Sequence, residues 1–65
     1  MILSPQKVEL ALARKGKTFS EVYKKARIST VTAGRVRKGL PIQPKIAGKL
    51  AAALEMDVSE LIDDS

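Results

Sequence analysis

Arg35, Arg37 and Lys38 crowd into one short segment, and Gln43 and Lys45 follow close behind. These are the side chains with which the chain could act on a partner. A guanidinium presents five N–H donors in a planar fork, which matches paired acceptors, while an ammonium is a compact point charge. Both bind phosphate. They belong to a longer basic stretch. Eleven of the twelve Lys and Arg residues lie between Arg14 and Lys49, with Glu21 as the single acid, for a net charge of +10. Residues 50 to 65 carry five acids and no base, a net of −5. In residues 1 to 13 Lys7 balances Glu9. So polarised a chain implies a polyanionic partner, bound through its basic stretch.

Other chemistries have little to work with. There is no His and no Cys, which removes the commonest metal ligand, the commonest general base and any disulfide. No Gly-rich phosphate loop is present, and the Asp63–Asp64 pair sits at the end of the sequence, where chains fray. The expectation is therefore a non-enzyme with no metal and no cofactor. Sixty-five residues make one domain at most, spanning residues 1–65, and a domain of this size buries only about 60% of its unfolded surface. Without disulfides or a metal, tight helix packing or oligomerisation must stabilise it. The apolar share, 45%, is that of a globular chain rather than a disordered one. The first residues lack the apolar core of a signal peptide, and no apolar run approaches the roughly 20 residues that span a bilayer. A cytoplasmic location is expected.

The elements that would position the basic residues all read as helices. Ser4 is an N-cap followed by Pro5 at the first helical position, and Val8, Ala11 and Leu12 recur at helical spacing until Gly16 stops the run, giving a helix over about 5–15. Thr18 and Glu21 form a capping box for a second helix, about 19–26, with Val22 and Ala26 on its inner face. Ser29 caps a third, about 30–38, whose inner face is Ala33 and Val36 and which ends at Gly39. Leu40-Pro41-Ile42-Gln43 reads as an extended loop, since residues before Pro leave the α region. Pro44 opens a fourth helix, about 44–55, with Ile46, Ala47, Leu50, Ala51 and Leu54 as its apolar stripe. Asp57 and Glu60 repeat the capping-box pattern before a last short helix carrying Val58, Leu61 and Ile62. No segment alternates as a strand would. The chain reads as all-α, five short helices.

Helices two and three have the spacing of a helix-turn-helix. From Thr18 to Gly39 the chain reads Thr-Phe-Ser-Glu-Val-Tyr-Lys-Lys-Ala-Arg-Ile-Ser-Thr-Val-Thr-Ala-Gly-Arg-Val-Arg-Lys-Gly. This resembles the pattern S/T-x-x-E-L-A-x-x-x-G-V-S-x-x-T-I-S-x-I-x-x-G of the phage repressor and Cro family of DNA-binding domains, also called XRE-type. Ile46-Ala47 through Ala53-Leu54, then Met56 to Ile62, resembles the family's ending, so the likeness runs from about Val8 to Ile62. It implies a five-helix, lambda-repressor-like fold. Three departures from the pattern matter: Tyr23 replaces a small Ala, Arg27 replaces the Gly of a turn that visits positive φ, and Ala33 replaces a larger apolar residue. At a position the pattern leaves open, Phe19 stands where the family usually has Gln.

The resemblance implies a role for each exposed position. The third helix would enter the major groove of double-stranded DNA by its N-terminal half, with Thr30, Val31 and Arg35 at base edges and Ser29 and Thr32 beside them. Arg35 suits guanine, and Val31 suits a thymine methyl. The N-terminus of the second helix, at Thr18 and Phe19, is a candidate phosphate clamp. Arg37, Lys38, Gln43 and Lys45 fall where the family grips adjacent phosphates. Each has an ordinary rival. Arg35 and Arg37 also fit solvation of a helix face, as do Lys24 and Lys25, and Phe19 and Tyr23 fit packing better than base stacking. The function implied is a sequence-specific transcription regulator, a small repressor or control protein of a phage or mobile element, acting as a homodimer. The acidic C-terminal segment with Met56, Val58, Leu61 and Ile62 fits either a dimer surface or closure of the monomer core. A protein partner docked on that segment, as for an antitoxin of the same fold, is the alternative.

Overall fold

The structure, a computed structural model, describes residues 1–63; Asp64, second of the acidic pair, lies outside the described residues with Ser65. Four α-helices follow one another: α1 Pro5–Lys15, α2 Phe19–Lys25, α3 Thr30–Arg37 and α4 Pro44–Ala53. Three begin on side-chain caps. The Ser4 hydroxyl accepts from the Lys7 N–H at 3.3 Å. At α2 the Thr18 hydroxyl accepts from the Glu21 N–H at 3.2 Å, and the Glu21 carboxylate accepts from the Thr18 N–H at 3.1 Å. Ser29 caps α3 by accepting from the Thr32 N–H at 3.2 Å. Gln43 makes no such bond at α4, where Pro44 supplies the preset φ and needs no N–H partner.

Each of the four helices is followed within two residues by a residue in the left-handed region, Gly16, Arg27, Gly39 and Glu55. Gly16, at φ 63°, closes α1. Two residues beyond α2, Arg27 takes φ 59°, nearly the same conformation without the freedom of glycine. A side chain there costs about 1–2 kcal/mol, and the turn offsets that cost with two bonds: Arg27 N–H to Lys24 O at 3.1 Å and Ile28 N–H to Tyr23 O at 3.1 Å.

The C-terminal end departs from the sequence expectation. α4 stops at Ala53 rather than near 55, and the last helix is one 3-10 turn, Val58–Glu60. Glu55 at φ 57° turns the chain out of α4 while the Met56 N–H bonds back to Ala51 O at 3.0 Å. Asp57 then caps as expected, taking the Ser59 N–H at 2.9 Å and giving its own N–H to Glu60. The helix cannot continue because the next residues are drawn into extended pairing with the N-terminus. Ser4 N–H donates to Leu61 O at 2.8 Å, Asp63 N–H donates to Ile2 O at 3.0 Å, and Leu3 and Ile62 form an isolated antiparallel bridge.

That seam supplies part of the stability a chain this small needs. Leu3 is 1% exposed and joins Val8, Leu12, Val22, Ile28, Val36, Leu50, Leu54 and Leu61 in one apolar core. Each such side chain contributes about 1.5–3 kcal/mol when fully buried. α4 is the central element, packed against α2 and the 3-10 turn. Leu61 lies in the core, and Met56, Val58 and Ile62 pack half-buried against it. These four residues pack on the monomer core, Leu61 within it and the other three along its edge. Among the described residues, no helix is long and apolar enough to cross a membrane.

Candidate nucleic-acid interface

α3 buries Ala33 and Val36, holds Thr32 half-buried, and exposes Thr30, Val31, Arg35 and Arg37. Val31 is 77% exposed, the most exposed large apolar side chain among the described residues. Val31, Arg35 and Lys38 succeed one another at helical spacing and share one face. Thr30 is exposed beside Val31. Thr30, Val31 and Arg35 thus stand together on the outer surface, where the sequence reading put the base contacts.

Ser29 and Thr32 are placed differently. The Ser29 hydroxyl donates to Thr32 Oγ1 at 2.9 Å while accepting from the Thr32 N–H. Its proton and one lone pair are therefore committed to starting the helix. Thr32 is half-buried and keeps its own O–H and one lone pair. These two residues shape the reading surface more than they extend it.

Arg35 is held as well as exposed. Its Nε and Nη2 donate to the Pro41 carbonyl at 3.3 and 3.0 Å. The contact closes one wall of an open groove lined by Thr32, Arg35, Pro41, Gln43 and Ile46. Gln43 and Lys45 flank the start of α4, exposed, with Lys38 exposed at the end of α3. Polar and cationic groups thus lie exposed at both ends of the α3–α4 loop.

The candidate clamp at the start of α2 is partly occupied from within, the Phe19 and Ser20 N–H groups lying outside the capping box. Glu21 and Thr18 satisfy each other, so an incoming phosphate would compete with a carboxylate for the same N–H. Phe19 does not offer a polar contact. Its ring lies 5.5 Å from that of Tyr23 and 5.6 Å from Cζ of Arg37, within cation–π range. Arg37 is thus carried by Phe19, and its outer N–H groups remain exposed.

Pro41 is the residue the sequence reading missed. Leu40-Pro41-Ile42 had a local signal for extended backbone, but a carbonyl's long-range partner leaves no mark in the residue types. Among the described residues no group of three His, Cys, Asp or Glu side chains could hold a metal ion. Asp57 is held below its ordinary value of 3.8 by its hydrogen bonds with Ser59.

No known protein family, curated protein or solved structure matches this chain. What fold and site define is a class: a small all-helical protein that presents a capped, mostly exposed helix framed by cations. The likeness to the phage repressor and Cro family rests on the chain's own residues.

Proposed function

We propose that the chain is a sequence-specific DNA-binding regulator with a lambda-repressor-like fold, in which α2 and α3 are the helix-turn-helix and α3 reads the major groove. The observation that carries this reading is the outer face of α3. It exposes Val31 at 77% between Thr30 and Arg35, with no internal partner for the valine, and the exposed cations Arg37 and Lys38 follow at its C-terminal end. An apolar side chain in that setting suits a thymine methyl, and an arginine one turn on suits guanine. Lys38, Gln43 and Lys45 grip phosphate on one side of the groove, with Arg37 braced on Phe19. A module with so few base contacts gains specificity by pairing, so a homodimer on two half-sites about one helical turn apart is the working form. The regulator is a cytoplasmic repressor or control protein of a phage or mobile element.

Anisotropy titrations of a labelled duplex and of its single strand, at several salt concentrations, test this. Tighter duplex binding is expected, with log K falling against log salt by about 0.9 per phosphate neutralised, and Lys45→Ala should lower that slope by roughly 1. Affinity indifferent to salt, or a preference for the single strand, would overturn the proposal.

A further inference from the structure

Arg35 is tied to the loop that follows α3 at both ends. Its backbone carbonyl accepts from the Leu40 N–H at 2.9 Å. Its guanidinium folds back, with Nε and Nη2 both donating to the Pro41 carbonyl. A guanidinium has five N–H groups. The two engaged here lie along the Nε–Nη2 edge. The end-on edge, with one N–H on each terminal nitrogen, stays free, and its two parallel donors are the ones that fit guanine O6 and N7.

The acceptor is itself anchored. Ile42, next to Pro41, is buried. Its N–H donates to the Met1 carbonyl at 2.8 Å, and its carbonyl accepts from the Met1 amine at 3.1 Å. Leu3, two residues further along, is in the core and bridges to Ile62. A continuous set of contacts thus runs from the core through Met1, Ile42 and Pro41 to the exposed tip of Arg35.

We propose that the Pro41 carbonyl is a latch that presets Arg35 for base reading, and that Met1 and the 40–42 loop act as positioning residues for sequence discrimination without touching a base. The inference rests on the DNA reading above. An unrestrained arginine gives up rotamer freedom on binding, a cost of about 0.5–1.5 kcal/mol for one such side chain. A latched arginine has already lost that freedom in the free protein. The gain, about two- to tenfold, falls on the site whose guanine meets this edge.

The test has two arms on the full chain. In the free protein, nitrogen-15 NMR should show the Arg35 Nε–H exchanging with water more slowly than that of Arg14, which is exposed. Pro41→Gly keeps the carbonyl but frees the loop; it should bring Arg35 exchange up toward that of Arg14. The same variant should lose about two- to tenfold in affinity for the preferred duplex, with binding to an unrelated duplex unchanged. Pro41→Ala, a milder change that guards against simple unfolding, should fall between. Fast Arg35 exchange in the unmodified chain overturns the latch, whatever DNA does. Slow exchange with undiminished discrimination in Pro41→Gly overturns its role in reading. Slow exchange in a chain with no preference among duplexes overturns the DNA reading, and the latch's role in it too.

Discussion

α3 buries Ala33 and Val36 from its eight residues, whereas α4 buries Ala47, Leu50, Ala51 and Ala53 from its ten. The difference extends to composition. α4 has four Ala and one Leu among its ten residues, good helix formers that offset its own Gly48, and its apolar side chains fill the centre of the fold. α3 opens on three β-branched residues, Thr30, Val31 and Thr32, and holds Gly34 in its middle, choices that weaken a helix. Its cap, its turn bonds and two small inward residues hold it in place. One helix is composed for its own stability and the fold's. The other accepts a poorer helical sequence on a surface that faces outward, as a recognition element would.

The contrast can be broken most forcefully in α4. Leu50 is fully buried, and Leu50→Ala should cost about 2–5 kcal/mol, read as a lower denaturant midpoint. A cost below 1 kcal/mol would mean that α4 is not the centre of the fold. In α3 the cap can be removed without touching the core. Ser29→Ala removes the bond to the Thr32 N–H and strands the Thr32 hydroxyl, so a loss of about 1 kcal/mol is expected in the same assay. Gly34 sharpens the comparison in the opposite direction. It lacks a positive φ, and a methyl group there would meet nothing within 4 Å. Gly34→Ala should therefore raise stability by about 0.5–1 kcal/mol, and a loss would show that the backbone of α3 needs glycine for an internal reason.

The smallest effect lies beyond α4, at the turn that covers it. Asp57 has a lowered pKa because its charged form accepts from Ser59. The unfolded carboxyl binds its proton at higher pH than the folded one. The stabilisation is therefore present above the ordinary value of 3.8 and is lost as pH falls through the lower folded value. Asp57→Asn should flatten that part of the acid limb of a melting-temperature profile, and an unchanged limb would remove Asp57 from the account.

Much of this architecture is legible in the residues because caps are local. Ser4, Thr18, Ser29 and Asp57 each lie within three residues of the N–H they accept, so residue type and spacing suffice. The left-handed turn at Arg27 came only from the resemblance, since arginine gives no hint of positive φ. The seam joining residues 1–4 to 61–63 has no local signature: its partners are far apart in sequence and its backbone is extended. It nonetheless decides that the last helix shrinks to a 3-10 turn. On the reading surface, exposure of Thr30, Val31 and Arg35 follows from helical spacing about Ala33 and Val36. The Ser29–Thr32 pair, Arg37 over Phe19 and Arg35 on Pro41 depend on side-chain geometry that spacing alone does not convey.

Selection of bound duplexes from a random pool, at one stated salt concentration, tests the central claim that α3 reads sequence. The account predicts an enriched palindrome whose half-sites lie about one helical turn apart, with a guanine position that loses its preference when Arg35 is replaced by Ala. A bound pool with no enriched sequence would contradict it.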